Sequence, residues 1–368
     1  TSPAATELEE VVMDWLRQML GLPEAFSGVI QDTASTSTLC ALLCARERTT
    51  DFAVNKQGFQ DGTAQRLMVY TSEESHSSVE KGVKIAGFGK DGLRTIPAGE
   101  DFAMIPEELE KSIHADIKDG HIPCCVVATL GTTSSTGMDP LRPIGEICTQ
   151  HGVWLHVDAA QAGTAAILPE MRHILDGIEF AHSFVFNPHK WMFTNFDCSA
   201  YFCKDPEILT STFEILPEYL KTDVDHRVKN FRDWGVPLGR RFRALKLWFV
   251  IRHFGIRGLQ EKVRGHMELA KEFQAWIRED PRFELMAPLT INLVCFRYHP
   301  SHRTITEEEL ERMNKELMDE LNGSGKMFIT HTKLKGKFAL RICIGQTNTS
   351  REHVRKAWER IQASVEKL

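Results

Sequence analysis

Residues 183–199 read SFVFNPHKWMFTNFDCS, in which a lysine lies among aromatic and apolar residues. The apolar run Phe184 to Phe186 predicts a buried strand, and Lys190 follows it closely, immediately before Trp191. Burying an unpaired ammonium group is costly, or it forces the group to lose its proton. Two explanations are open: Lys190 extends past its apolar neighbours to solvent, or it is neutral because it forms an imine.

The composition is that of an ordinary globular protein that binds a small molecule. The chain has 368 residues, of which 42% are hydrophobic and 26% charged, enough for a full core and two domains. A net charge of −6 argues against nucleic acid or an anionic membrane surface as the main partner. We therefore expect a small-molecule substrate, with no nucleic-acid or membrane partner.

The sequence also favours a cytoplasmic location. No stretch approaches the roughly 20 apolar residues of a membrane span, and the start, TSPAATELEE, lacks the features of a signal peptide. The nine cysteines are an odd number and lie mostly in apolar runs, Cys343 among them. This pattern predicts reduced core thiols and neither a disulfide framework nor a metal site.

Apolar runs and helical stretches alternate from about residue 30 to residue 204. Strands that are buried on both faces and separated by helices are typical of a mainly parallel α/β sheet. A long apolar helix at about 241–254 then leads into a mixed pattern of helices and strands, typical of an α+β fold with antiparallel strands. We expect a large domain over residues 1–254 and a small C-terminal domain over residues 255–368.

Polar residues follow several predicted strands, where open α/β sheets bind their ligands. Asp158 follows the strand 154–157, His76 follows another, and Thr133 a third, while Thr33 and Ser35 open a helix. Each has an ordinary structural explanation, because Ser, Thr and Asp are common caps and a lone histidine is usually structural. As a set they provide a helix N-terminus for a phosphate, an acid for a ring nitrogen and a stacking ring, beside an imine-forming lysine. Pyridoxal phosphate needs these groups.

Several longer stretches carry a resemblance to a known family, namely NPHKW with NFDCSA, HVDAA with PEMRHILDGIEFAHSF, ATLGTTSSTG, SHSSVE and PLGRRFRALKLWF. They resemble the group II pyridoxal-phosphate decarboxylases, and most closely the aromatic L-amino-acid decarboxylases, over almost the whole chain. The resemblance implies a fold-type I enzyme with a large domain built on a mainly parallel seven-stranded sheet. It also implies a homodimer with the cofactor near the subunit interface. We expect this chain to lack the helical segment that the family carries before residue 1.

The resemblance further implies roles for individual residues. Lys190 resembles the lysine that holds the cofactor as an imine, and Asp158 resembles the partner of the pyridine nitrogen. His76 resembles the histidine that stacks on the cofactor ring, and Ala160 the small residue under its other face. Tyr219, in ILPEYLK, resembles the catalytic-loop tyrosine, which donates or positions the proton that Cα takes up.

The remaining roles concern the phosphate and the substrate. Four residues align with the phosphate cradle: Thr33, Ala34, Ser35 and Asn187. His189 aligns with a neighbour of this cradle and Thr133 with a residue beside the cofactor. The resemblance places the substrate against His76, His189 and Gly239.

The motifs also bear on the substrate. In relatives that prefer histidine, serine tends to replace His189 and Gly239, whereas both residues here match the aromatic type, and a glycine at 239 leaves room for a large ring. Aldehyde synthases tend to depart at the stacking histidine or the loop tyrosine, and His76 and Tyr219 are the decarboxylase residues. The resemblance thus implies decarboxylation of an aromatic L-amino acid to its amine and CO2. The alternatives are an aromatic aldehyde synthase, a histidine or acidic amino-acid decarboxylase, an aminotransferase, or an inactive cofactor-binding fold.

One residue departs from the family pattern near the phosphate cradle. Asp32 stands where a glycine is more usual, directly before Thr33. Its carboxylate either points away from the cradle or weakens cofactor binding, because it carries the same sign of charge as a phosphate.

Overall fold

The computed structural model describes residues 2–59, 65–215, 228–300 and 305–367. The chain divides into two compact units. The first unit comprises Thr1–Leu130 and Met138–Leu259, and the second comprises Gly131–Gly137 and Gln260–Leu368. The division falls inside a long helix, and the domain boundary expected at residue 254 stays a prediction.

The first unit contains a seven-stranded sheet and the helices around it. Its strands are β1 (Ser27–Gln31), β2 (Leu67–Ser72), β3 (Leu93–Ile96), β4 (Ile122–Thr129), β5 (Trp154–Asp158), β6 (Ser183–Phe186) and β7 (Ser199–Cys203). Its helices are α1 (Pro3–Leu20), α2 (Ala34–Thr49), α3 (Ala53–Gln57), α4 (Ser78–Ile85), α5 (Pro106–Lys118), α6 (Leu141–His151), α7 (Pro188–Trp191) and α8 (Pro206–Phe213). A further helix, α9 (Arg243–Glu279), begins in this unit.

The strands of the large sheet lie in the order β1-β7-β6-β5-β4-β2-β3. The five strands from β6 to β3 in this order are parallel, whereas β7 is antiparallel to both β6 and β1. Because β1 and β6 are both antiparallel to β7, they run in the same direction as each other. The carboxyl ends of β1, β2, β4, β5 and β6 therefore share one edge of the sheet.

Continuous burial explains why these runs form central strands. Every residue of β5, β6 and β7 is buried, as is β4 from Cys124 onward, so apolar residues are needed on both faces of the sheet. At Gly163 a Cβ atom would lie 2.4 Å from the Cβ of Phe186, so the turn after β5 packs against β6 at a distance that only glycine permits. The prediction of a mainly parallel α/β sheet is confirmed.

The cysteines follow the same pattern of burial. All nine are free thiols, and eight of them are buried. Burial raises the pKa of Cys40 and of Cys124 to about 12, which leaves these thiols unreactive at neutral pH. The prediction of core thiols is wrong for Cys343, which is exposed as the last residue of an inner strand of the C-terminal sheet.

The long helix α9 extends from Arg243 to Glu279 and is kinked at Gly255. Gly255 has φ 63° and ψ 170°, a backbone conformation that glycine adopts most readily. The apolar helix expected at about residues 241–254 corresponds to the part before the kink. The mixed pattern of helices and strands expected from residue 255 begins with the part after it.

The second unit is a smaller α+β structure. Its strands are β8 (Phe283–Leu285), β9 (Leu293–Tyr298), β10 (Thr330–Leu334) and β11 (Lys337–Cys343), and its further helices are α10 (Glu307–Gly323) and α11 (Arg351–Val365). The strands form one antiparallel sheet in the order β10-β11-β9-β8. Phe273, Phe296 and Trp358 lie in its core, with ring centroids 5.6 to 5.8 Å apart around Phe273. The predicted antiparallel C-terminal α+β structure is confirmed.

None of the helices within the described ranges combines the length and the apolar character needed to cross a membrane.

Candidate active site

Three strand ends are joined by backbone hydrogen bonds at the shared edge of the sheet. The N–H of Leu130 donates to the carbonyl of Asp158 (2.9 Å), and the N–H of Ala159 donates to that of Val185 (2.9 Å). The N–H of Asn187 donates to the carbonyl of Ala160 (3.1 Å). The turns after β4, β5 and β6 therefore hold one another in place, and the polar residues on them have fixed positions.

Asp158 ends β5 at this edge and is only 4% exposed. Burial raises the pKa of its carboxyl group, while the N–H of Ala160, 3.0 Å from Oδ1, and the charges of Lys190 and His76 act in the opposite direction. The hydrogen bond from the N–H of Ala160 stabilises the turn after β5 and is the structural reason for an aspartate at this position. One such hydrogen bond does not balance a buried negative charge, so a nearby cation would stabilise it further.

His76 lies in the turn between β2 and α4. Its Nδ1 accepts the backbone N–H of Ser78 (3.1 Å) and lies 2.7 Å from the hydroxyl of the same residue. These contacts fix the orientation of the ring from one side. The ring itself is exposed and close enough to Asp158 to affect its pKa.

Lys190 lies in the short helix α7, directly after β6, and its side chain is exposed. Of the two explanations left open by the sequence, the exposed position agrees with a side chain that extends past its apolar neighbours to solvent, because Trp191 and Met192 are buried while Lys190 is exposed on the same helical turn. The N–H of Lys190 donates to the carbonyl of Asn187 (2.9 Å), which holds the turn. Burial therefore gives no reason for Lys190 to be neutral, and the expectation of an imine rests on its neighbours and on the family motif.

His189 precedes this lysine and is half-buried. Burial, together with the charge of Lys190, lowers the pKa of His189 to about 4. Its Nδ1 accepts the backbone N–H of Cys198 (2.8 Å), so a neutral ring carries its proton on Nε2. At neutral pH His189 is therefore an uncharged donor of fixed tautomer.

The start of α2 lies at the same edge, because β1 ends at Gln31. Thr33 is the N-cap residue, Ala34 is buried and Ser35 is exposed in the first turn, where backbone N–H groups have no partner within the helix. The carboxylate Oδ1 of Asp32 accepts the N–H of Thr33 (2.6 Å) and lies 3.3 Å from its hydroxyl oxygen. Asp32 thus does not point away from the predicted phosphate cradle. Its carboxylate occupies hydrogen-bond donors of Thr33, a residue that is predicted to bind the phosphate.

Two polar atoms at the edge have no hydrogen-bond partner among the described residues. They are Oδ1 of Asn187 and Oγ1 of Thr129, and both are buried. Thr129 pairs with Asp158 across β4 and β5, so the two unsatisfied groups flank the buried carboxylate. Buried polar atoms are rarely left unpaired, which makes this edge a place where a polar ligand is accommodated.

The described contacts do not test three further residues that were predicted for the site. Gly239 is exposed in the first unit, and Thr133 is exposed in the second unit, where its carbonyl accepts a hydrogen bond from Arg341. Tyr219 lies outside the described residues. Their predicted roles stay predictions.

Sequence reasoning missed an ion pair that supports the lysine turn. Nε and Nη2 of Arg243 donate to the two carboxylate oxygens of Asp197 (3.1 and 2.9 Å), and this lowers the pKa of Asp197 to about 2. Asp197 precedes Cys198, whose N–H fixes His189. Both residues lie in motifs that carry the resemblance, but the sequence alone gave no reason to pair them.

Comparisons with known proteins agree with this architecture. Residues 1–299 match the family described as "Pyridoxal-dependent decarboxylase conserved domain". Phenylacetaldehyde synthase from Arabidopsis thaliana is 43% identical over 378 aligned positions, covering 100% of this chain and 76% of that protein. Aromatic-L-amino-acid decarboxylase from Sus scrofa is 44% identical over 379 positions, with coverage of 100% and 76%. The crystal structure of Oryza sativa TDC with PLP and tryptamine superposes with a TM-score of 0.94 at 40% identity, covering 100% of this chain and 77% of that one.

The fold and the edge of the sheet define an α/β enzyme that works with a bound cofactor. The chain belongs to the pyridoxal-dependent decarboxylase family, and its cofactor is pyridoxal phosphate. The predictions of family, fold class and cofactor are confirmed.

The described residues fit this cofactor. Burial raises the pKa of Asp158, and a protonated pyridine nitrogen would stabilise its charged form. The unpaired buried oxygens of Asn187 and Thr129 lie beside it. Lys190 is exposed at the same edge.

The geometry of Asp32 gives a prediction for cofactor affinity. Replacing Asp32 with Asn keeps an oxygen for the N–H of Thr33 and removes the negative charge that opposes a phosphate in the predicted cradle. We expect Asp32→Asn to bind pyridoxal phosphate about two- to fivefold more tightly, the range of a partly exposed charge interaction. Absorbance titration of the cofactor-free protein at low and high salt measures this change, and high salt should reduce it.

Asp205→Asn is the matched control, because Asp205 also caps a helix through its Oδ1, 3.0 Å from the N–H of Glu207. It should leave the affinity for pyridoxal phosphate unchanged. If Asp32→Asn binds pyridoxal phosphate no more tightly than the parent, the phosphate does not bind next to Thr33.

Proposed function

We propose that this protein decarboxylates an aromatic L-amino acid to the corresponding amine and CO2. The observation that carries the proposal is the buried carboxylate of Asp158 at the edge of the sheet. The charges of Lys190 and His76 are close enough to act on its pKa. Decarboxylation needs a cofactor ring that stays protonated while it accepts electrons, and a buried acid is the group that maintains this state. Family membership supplies the reaction class, and the residues named here are our assignment within it.

Bound pyridoxal phosphate supplies an electron-accepting ring for the pair released when the α-carboxylate leaves as CO2. In the proposed mechanism Lys190 would hold the cofactor covalently through its amine. Asp158 would keep a proton on the pyridine nitrogen, and its low-dielectric surroundings would strengthen this charge pair.

Two histidines and a tyrosine act on the ring and the substrate in this proposal. His76, whose ring is oriented by Ser78, would cover one face of the cofactor ring, and the small side chain of Ala160 would leave room at the other face. His189 presents Nε2–H as a neutral donor, because Nδ1 already accepts from Cys198. Tyr219 gives or positions the proton that Cα takes up after CO2 has left.

An aromatic substrate is favoured by the space at Gly239. Among the described residues nothing lies within 4 Å of the position a Cβ would take there, and its φ is not in the left-handed region. Neither packing nor backbone conformation within this part of the chain requires a glycine. We infer that a glycine is present here because the substrate needs the space, and this space accommodates a large ring.

An aldehyde synthase is the second candidate, since a phenylacetaldehyde synthase is as similar to this chain as the aromatic decarboxylases are. That reaction also releases CO2 but consumes O2 and water and yields an aldehyde, ammonia and hydrogen peroxide in place of the amine. The two candidates differ only in what happens to Cα after the carboxylate has left. Whether a proton reaches Cα before oxygen does therefore decides between them.

We further propose that the protein works as a homodimer. Leu245 and Phe249, four residues apart on the first half of α9, have exposed apolar side chains, as does Phe242 directly before the helix. A stripe of this kind is typical of a surface that a second subunit covers. The eight buried free thiols support a reducing, cytoplasmic location.

The assignment of Lys190 can be tested by chemical labelling. Borohydride reduction of the holoenzyme fixes the cofactor to the amine that holds it, and peptide mapping should then find the pyridoxyl mass on Lys190. Lys190→Arg should abolish the label without unfolding the protein, because Lys190 is exposed. A pyridoxyl group on Lys246, or on any other lysine, would overturn the assignment.

The role of Asp158 gives a prediction with two opposite readouts. Asp158→Asn keeps an acceptor for the N–H of Ala160 and removes a buried charge, so the cofactor-free protein should be as stable to urea as the parent or more stable. Turnover per bound cofactor should fall by on the order of a hundredfold or more, because an amide cannot hold a proton on the ring nitrogen.

Asp139→Asn is the matched control for this experiment, since Asp139 is also a buried carboxylate of the first unit and accepts N–H groups of Met104 and Thr129 (both 2.7 Å). Its turnover per bound cofactor should stay near that of the parent. A near-parental rate for Asp158→Asn would remove Asp158 from the chemistry.

Product analysis tests the proposed function and the role of Tyr219 together. The parent protein with a panel of aromatic, acidic and histidine substrates should release CO2 and amine in equal amounts, for aromatic substrates only. Tyr219→Phe should shift the product from amine toward aldehyde, ammonia and peroxide under air while CO2 release continues, because Cα is protonated more slowly. Tyr298→Phe, in the core of the second unit, is the control and should not alter the amine-to-aldehyde ratio. Aldehyde as the main product of the parent would favour the second candidate, and an unchanged ratio in Tyr219→Phe would exclude Tyr219 from proton transfer.

A further inference from the structure

Three side chains suited to metal coordination meet between α5 and α6, in the first unit. Glu110 and His114 lie one turn apart on α5, and His151 is the last residue of α6. One ligand atom from each, a carboxylate oxygen and two ring nitrogens, all lie within 4.8 Å of one another. Residues four apart on a helix share one face, so α5 presents two ligands to a third on its neighbour.

The histidine on α6 is not satisfied by the rest of the described chain. Nε2 of His151 is buried from solvent and has no hydrogen-bond partner among the described residues. The rings of His114 and His151 meet edge to face, with centroids 5.0 Å apart and an interplanar angle of 81°. A buried ring nitrogen without a partner is uncommon, and here it belongs to a ring that offers one of the three clustered ligand atoms.

We propose that Glu110, His114 and His151 form a binding site for a divalent cation of the zinc class. Two imidazoles and one carboxylate favour Zn²⁺ or a similar transition-metal ion over Mg²⁺ or Ca²⁺, which prefer oxygen ligands. Zinc holds such ligands at about 2.0–2.2 Å, which places neighbouring ligand atoms about 3.4 Å apart. The three groups reach this arrangement by side-chain rotation, because His114 is exposed and Glu110 is partly exposed.

The site is separate from the candidate active site. His151 ends α6 just before β5 begins at Trp154, whereas Asp158 lies at the other end of the same strand. The cation therefore lies at the amino edge of the sheet and touches none of the proposed catalytic groups. The sequence gave no indication of it, because the third ligand comes from a different helix and no familiar spacing joins the three.

A cation bound there links α5 to α6, which pack against each other and against the central strand β4. Binding to the folded chain raises its stability in proportion to the logarithm of the free cation concentration. One coordination position is left for water, since three protein ligands leave a tetrahedral ion incomplete. We assign the site a stabilising role that is independent of turnover.

The test uses the holoenzyme, so that the cofactor site is filled. Calorimetric titration with Zn²⁺ should show one site that is lost or weakened by on the order of tenfold or more in His114→Ala and in Glu110→Gln. Thermal unfolding of the parent should shift upward by several degrees at about a hundredfold excess over the Kd, and a chelator should reverse the shift. Both substitutions are at least partly exposed, so their unfolding temperatures without metal should match that of the parent.

His173→Ala is the matched control, because His173 is an exposed histidine of the same unit outside the cluster. It should bind Zn²⁺ as the parent does, and Mg²⁺ should shift the unfolding temperature of neither protein. Co²⁺ should give a visible absorption band that His114→Ala lacks. Equal Zn²⁺ affinity and equal thermal shifts in the parent and His114→Ala would overturn the proposal, as would a parent that binds no Zn²⁺.

Discussion

The backbone hydrogen bonds between the ends of β4, β5 and β6 are the constraint on which the candidate site depends. Each turn residue that leaves one strand donates to, or accepts from, a residue at the end of the next: Leu130 to Asp158, Ala159 to Val185, and Asn187 to Ala160. These contacts join peptide groups, so they place the turns independently of the side chains. The polar groups of Asp158 and Asn187 are therefore held in position before any ligand arrives, and part of the ordering cost of the site is met during folding.

Much of the fold could be predicted from the sequence because burial is continuous in the central strands. Runs such as those of β5 and β6 leave no polar face, and only a sheet covered on both sides accommodates them. The two halves of α9 could be predicted as separate helices, since Gly255 kinks the chain between them. The assignment of residues 131–137 to the second unit could not be foreseen, because it depends on contacts between residues far apart in the sequence.

The candidate site was predicted best where position along a strand decides geometry. Asp158 and Asn187 lie where the ends of parallel strands must lie, whereas the direction of a side chain on a single helical turn was not predictable, and the sequence left open whether Lys190 is buried or exposed. The pairing of Arg243 with Asp197 was also missed, because charges that lie far apart in the sequence give no pattern from which to choose partners. The hydrogen bond from Cys198 to His189 was missed for the same reason, since its donor is a peptide group.

The buried carboxylate of Asp158 has a consequence for the lifetime of the protein in a cell. Burial disfavours the charged form of this carboxylate, whereas a ligand that binds only the folded chain stabilises it, by about 2.7 kcal/mol at a hundredfold excess over its Kd. Differences of this size change the fraction of molecules open to proteases and so change abundance severalfold. Loading with the cofactor therefore protects the folded chain from degradation in addition to completing the site.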